Sequence, residues 1–169
     1  MERVYETKLD RGPARNILNI GGGSGMLSFL LWKVFGHQVD TCDIPSVHFK
    51  FDGHYPVMAS FFGLTRRHWF VTTNNPPSWL GTYDVVLIYL SVFNHKWNTD
   101  DYKEFLVSLM PHIAPGGFVR WHSNRFRGAK PYGESFLSYD DLVALAEGQH
   151  IPFHRYKLVS TNSTIASPS

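Results

Sequence analysis

The sequence predicts an α/β domain built on a doubly wound, mostly parallel sheet. Three observations lead there. The apolar run Ile17-Leu18-Asn19-Ile20 is followed by the turn Gly21-Gly22-Gly23-Ser24-Gly25, and then by Met26, Leu27, Leu30, Leu31 and Val34 at helical spacing; this reads as strand, turn and helix. A second stretch, Gln38-Val39-Asp40-Thr41-Cys42-Asp43, ends in an acid 18 residues after Gly25, about where a doubly wound fold places the carboxylate that takes ribose hydroxyls. Downstream, strand-like runs alternate with amphipathic helical ones, as βα units do.

Composition agrees with a single domain over residues 1–169, with a polar leader at 1–15 and a small polar, mobile tail at 161–169. With 43% hydrophobic and 18% charged residues the chain is globular, and an aromatic share of 15% points to a rigid core or an aromatic-lined pocket. A net charge of +2 demands neither nucleic acid nor an anionic membrane as partner. The single cysteine, Cys42, forms no internal disulfide and reads as a core thiol, since the neighbouring Asp43 disfavours a thiolate. The amino terminus lacks an apolar signal core, and no apolar run reaches the ~18 residues of a membrane span. The expectation is a cytoplasmic protein with no membrane role.

The elements follow in order. The first helix runs to Gly36, placed as a C-cap glycine. After the second strand, Ile44-Pro45 turns the chain out, and Pro56 starts a helix to about Leu64. Arg66-Arg67-His68 reads as a solvated loop, with a phosphate or acidic-substrate clamp as the alternative. Trp69-Phe70-Val71-Thr72-Thr73 has strand composition, stopped by Asn74-Asn75-Pro76-Pro77. Tyr83-Asp84-Val85-Val86-Leu87-Ile88-Tyr89 is a further strand, with Asp84 capping the preceding turn. Asn98 or Thr99 caps a helix whose Tyr102, Phe105, Leu106 and Leu109 share a face. Asp100 and Asp101 fit its positive end rather than a metal, and no His or Cys spacing supports zinc; no metal is expected. Pro115-Gly116-Gly117 turns into a strand at Phe118–His122. Residues 123–133 form a polar loop with Arg125, Arg127 and Lys130, either solvated or roofing an anionic substrate. Ser138 opens a last helix in a capping-box pattern, and 153–159 offers one more strand, the sixth.

Taken together, Ile17 through Gly25, the acid Asp43, Tyr83-Asp84-Val85-Val86-Leu87, and Leu109 through Phe118 with its Pro115-Gly116-Gly117 resemble, in order and spacing, the class I S-adenosylmethionine-dependent methyltransferases. The resemblance covers roughly residues 15–123. It implies a sheet of about six to seven strands with helices on both faces, and S-adenosyl-L-methionine as methyl donor with S-adenosyl-L-homocysteine as product. It implies cofactor contacts from Asn19, Gly21, Gly22, Gly23, Ser24 and Gly25, ribose binding by Asp43, and adenine contact by Ile44. A polar side chain after the third strand meets the adenine amino group in the family; Asn74, or its neighbour Asn75, stands there, although Asn before Pro-Pro is also ordinary turn chemistry. One departure is Asn19, where the family usually carries Asp or Glu; its amide brings hydrogen bonds but no charge to the cofactor's cationic end.

Ligands in open α/β sheets bind beyond the carboxyl ends of the strands, which puts Tyr89, Leu90 and the residues through His95 at the methyl-transfer end. Positioning carries much of such a reaction, and a general base helps when the acceptor is a hydroxyl or protonated amine. His95 is the first candidate base and His122 the second; a surface or capping histidine is the plain alternative. Tyr89, Phe93, Trp97 and Trp121 could wall a sulfonium or simply pack the core. The expected activity is methyl transfer to O or N of a small-molecule substrate. The short leader implies a small substrate, an open site, or a partner chain or homo-oligomer that closes it. The alternative is a cofactor-binding, degenerate member with a regulatory or scaffold role. A nicotinamide dehydrogenase is disfavoured because Met26 replaces the third glycine of G-x-G-x-x-G. Nucleic-acid methylation is disfavoured because Asn75-Pro76-Pro77 follows the third strand, not the fourth, and Ser78 lacks the aromatic.

Overall fold

The structure is a computed structural model that describes residues 8–43, 54–89, 99–122 and 134–149. In chain order it contains β1 (Asn16–Ile20), α1 (Met26–Phe29, continued by a π-helical segment Leu30–Val34), β2 (Gln38–Asp43), α2 (His54–Phe61), β3 (Arg66–His68), β4 (Tyr83–Tyr89), α3 (Thr99–Leu109, then a 3-10 turn Met110–His112), β5 (Ile113–His122), β6 (Glu134–Ser138) and α4 (Tyr139–Ala146).

The six strands form one sheet in the order β3-β2-β1-β4-β5-β6. All neighbours are parallel except β5 with β6. The expected doubly wound, mostly parallel sheet is therefore present, and its order reverses between β1 and β4. Both faces of the central strands are sealed: Ile17, Leu18 and Ile20 of β1 and Val85 through Ile88 of β4 are 0% exposed. Alternation sends them two ways. Leu18, Ile20, Val86 and Ile88 meet Phe105, Leu106 and Leu109 of α3 and Leu142 and Leu145 of α4. Ile17, Val85 and Leu87 meet Leu31, with Leu27, Leu30 and Phe35 packed around them.

Four expectations are revised. The third strand is Arg66–His68, not Trp69–Thr73: Thr41, Cys42 and Asp43 pair with Arg66, Arg67 and His68. Trp69 donates its backbone N–H to Asp43 O at 2.9 Å, but from there Trp69 and Val71 leave the ladder and enter the core with Phe105. The apolar run marked core, while the ladder belongs to charged residues whose partners are acids on β2. Next, β5 starts at Ile113, because Pro115-Gly116-Gly117 is a bulge within the strand, where the register jumps between Tyr83↔Ile113 and Val85↔Phe118. Gly117 permits this, since a Cβ there would stand 2.8 Å from both Ala114 O and Asp84 O. Third, Glu134–Ser138 form an antiparallel strand with Leu137 buried and Phe136 against Phe118 at 4.9 Å. β6 is thus the sixth strand among the described residues; the strand expected at 153–159 lies outside them. Fourth, the first helix is not uniformly α-helical: Phe35 N–H reaches Leu30 O at 3.2 Å, five residues back, before Gly36 ends it at φ 73°.

One other expectation holds. Ser138 caps α4 in a capping box with Asp141. Asp84, expected to cap the turn before its strand, instead accepts the Asn16 N–H at 2.8 Å, fastening the start of β1 to β4. Among the described residues no helix is long and apolar enough to cross a membrane. Asp100 and Asp101 stand in the first turn of α3, and no group of three or more His, Cys, Asp or Glu able to hold a metal occurs among the described residues.

Candidate functional site

The strand order reverses between β1 and β4, and sheets of this kind bind ligands beyond the carboxyl ends of their strands at such a point. The turn Gly21-Gly22-Gly23-Ser24-Gly25 leaves the carboxyl end of β1 there. Gly21 and Gly22 donate their N–H groups to Cys42 O at 2.9 and 3.1 Å, and Gly25 donates to Gly22 O at 3.0 Å. Gly21, Gly23 and Gly25 have φ of 73°, 55° and 82°, a region that side chains with a Cβ enter only at a cost. Gly22 is needed for space instead: a Cβ there would collide with Thr41 Oγ1.

Two side chains fix the turn. Asp43, the last residue of β2, accepts the Gly23 N–H on Oδ2 at 2.7 Å. The same oxygen lies 3.4 Å from an Arg66 Nη2 whose side chain is 6% exposed. Beneath the turn, Asn19 is 1% exposed and donates from Nδ2 to the buried Ser28 Oγ at 2.9 Å. Its Oδ1 is buried without a hydrogen-bond partner among the described residues. Burial, reinforced by Asp43, pushes the Cys42 thiol up out of its ordinary range, so it stays protonated; it is 0% exposed and matches its reading as a core residue.

No family model matches the sequence, and no curated protein matches it. Solved structures do match its fold. A S-adenosylmethionine-bound amino pentose methyltransferase of calicheamicin biosynthesis from Micromonospora echinaspora superposes with a TM-score of 0.54 at 14% identity, over 81% of this chain and 60% of its own. A methyltransferase from Pyrococcus furiosus gives 0.51 at 17%, over 87% of this chain and 67% of its own. An O-methyltransferase family protein from Burkholderia thailandensis gives 0.53 at 13%, over 75% of this chain and 39% of its own. The fold is that of the class I S-adenosylmethionine-dependent methyltransferases. The chain spans less than two thirds of the first of these proteins and well under half of the third.

Within this methyltransferase fold the structure brings together Asn19, Gly21 through Gly25 and Asp43. Tyr89 closes β4, its backbone paired with His122 of β5, at the same end of the sheet; its side chain lies outside what is described. Ile44, Leu90 and His95 lie outside the described residues, as do Phe93 and Trp97. Asn74 is tied elsewhere, donating from Nδ2 to Glu104 Oε1 of α3 at 2.9 Å, while the carbonyl of Asn75 receives the Trp69 indole N–H at 3.1 Å. Trp121 is a core residue, 6% exposed, edge-on to Tyr102 at 4.6 Å.

Sequence reasoning missed three participants. Arg66 was read within a solvated loop. Thr41 and Ser28 carried no motif. The pairing of Arg66 was nonetheless signalled, since Asp40 and Asp43 flank, on the neighbouring strand, the two positions in register with the consecutive arginines. Tyr55, from the first turn of α2, comes closest to Gly23, with ring atoms 3.9 and 4.0 Å from where a Cβ would be.

Proposed function

We propose that the protein is a S-adenosylmethionine-dependent methyltransferase acting on a small molecule, with in-line transfer to an oxygen or nitrogen. The observation that carries this is Asp43 hydrogen-bonded to Gly23 at the switch point: one carboxylate and one glycine turn, locked together where an adenosine would span them. The residues present fit that group. The turn leaves room at Gly23, the carboxylate suits ribose hydroxyls, and Asn19 Oδ1 is a buried acceptor under the turn. When bound, S-adenosylmethionine supplies a methyl already activated by its sulfonium.

The chain's own residues then bind and orient. Gly21 through Gly25 let the cofactor approach the main chain, Asp43 accepts ribose hydroxyl protons, and Asn19 supports the turn and the methionine end. Ile44 and Asn74 are assigned to the adenine, and Tyr89 and Leu90 to the transfer end. Asn74 would have to release Glu104 to serve. His95 takes the proton of an acceptor hydroxyl or amine. The reading extends to a cytoplasmic protein without a membrane or nucleic-acid partner, its site closed by a second copy or a partner chain. Titration calorimetry with S-adenosylhomocysteine tests it: binding should weaken by about tenfold or more in Asp43→Ala, as expected for loss of hydrogen bonds to a charged group. No uptake by the wild type at millimolar ligand refutes the reading.

Asn19 favours a second reading, a cofactor-binding regulatory or scaffold member, because an uncharged amide stands where the family usually has an acid. Binding without turnover over a panel of small hydroxyl and amine acceptors would select it.

A further inference from the structure

We propose that Arg66 is a positioning residue for the cofactor: it acts through Asp43, whose carboxylate it holds in the orientation that receives the ribose. This rests on the cofactor reading above. Arg66 opens β3 and pairs in register with Thr41, two residues before Asp43. Its guanidinium is buried and meets Oδ2 of Asp43, the oxygen that also accepts the Gly23 N–H. Two donors from separate elements thus converge on one oxygen. With Cβ and Cγ placed by the strand, holding Oδ2 sets the carboxylate plane, and with it the direction of Oδ1.

The neighbouring Arg67 provides contrast. Alternation along the strand turns it away from Arg66; it is 43% exposed, 3.7 Å from Asp40, and lies over the Trp79 ring at 4.9 Å. A buried ion pair is weak support for stability, because desolvating both charges offsets their attraction. The cation beside Asp43 is better explained by holding that acid in place than by strengthening the fold.

The test is calorimetric binding of S-adenosylhomocysteine and its 2′-deoxy analogue to the wild type, Arg66→Gln, Arg66→Lys and Arg67→Gln, with a melting curve for each. The wild type should prefer the ribose form. Arg66→Gln should lose about 10- to 100-fold in affinity for it, the scale of a charge-assisted contact, while losing much less for the deoxy analogue, so that the preference collapses. Arg66→Lys, which keeps the charge but not the planar fork, should retain an intermediate preference, and Arg67→Gln the full one. A folded Arg66→Gln that keeps the wild-type preference, or that weakens both ligands equally, overturns the proposal. Should Arg66→Gln not fold, Arg66→Lys decides: an undiminished preference overturns it. A wild type that binds both ligands equally also overturns it, whereas one that binds neither removes the cofactor reading itself.

Discussion

Replacing Gly22 by alanine isolates the packing beneath the turn. Gly22 is the one glycine of the turn that is short of room without needing a positive φ, so the cost of a methyl is steric. That methyl would overlap Thr41 Oγ1 far inside contact distance and stand 3.3 Å from Asn19 Nδ2. Neither neighbour can retreat. Thr41 is 3% exposed and lies mid-sheet, paired with Asn19 on one side and Arg66 on the other; Asn19 is held by Ser28. The turn must rise instead, stretching the Gly22 bond to Cys42 O. Overpacking costs about 1–3 kcal/mol, and a weakened backbone bond adds roughly 0.5–1.5. The sum, about 2–4 kcal/mol, lowers the melting temperature by roughly 5–15 °C in a domain of this size. Thermal unfolding of Gly22→Ala, Thr41→Ala and the double variant measures it as a coupling energy. The second substitution should relieve most of what the first inflicts. A Gly22→Ala protein that melts with the wild type, or a double variant whose losses simply add, refutes the packing argument.

Three further outcomes are expected. His95→Ala should lower kcat by about 10²- to 10⁴-fold with unchanged affinity for S-adenosylhomocysteine; undiminished turnover removes His95 as the base. Tyr83→Phe deletes a hydroxyl that donates to Asp40 Oδ2 at 2.7 Å at the amino end of the sheet, costing about 1–2 kcal/mol in urea unfolding while leaving ligand affinity untouched. Burial first, and then nearby acids, raise the Cys42 and Tyr83 pKa values in the folded protein. A raised folded pKa means stability is intact below the unfolded value and lost as pH climbs past it. Stability should therefore fall above about pH 8.5, at up to ~1.4 kcal/mol per pH unit for each group. Cys42→Ala should flatten the first part of that decline in urea melts at pH 7.5–10.

The central strands were legible because a parallel strand buried on both faces reads as a nearly continuous apolar run, as Val85 to Ile88 does outright and Ile17 to Ile20 does but for Asn19. The glycine turn and Asp43 were legible because their chemistry is local and their spacing follows from the topology. β3 was not: its residues are Arg, Arg and His, and only the acids of a strand distant in sequence make that segment a ladder partner. Trp69 and Val71 misled for the complementary reason, since apolar composition reports burial and not hydrogen bonding. The bulge at Pro115-Gly116-Gly117 carries turn residues, and the strand on either side appears only once its partner β4 is known. Asn74 was picked out by its place after the expected third strand, but its contact with Glu104 depends on where α3 lands, which no local pattern encodes.

The widened helical turn at Leu30–Val34 has a consequence for how this chain tolerates change in length. Its two ends are anchored, by the glycine turn at Gly25 and by the cap at Gly36, with His37 beyond it bonded to Leu9 O and to Arg15 N–H. Between those anchors the segment holds one residue more than an ordinary helix would use, and the surplus is absorbed where Trp32 and Val34 face outward while Leu31 stays buried. A chain shortened by one residue there could regain regular geometry without disturbing either anchor. The slack lies on the outer layer, so the sheet and the glycine turn keep their register.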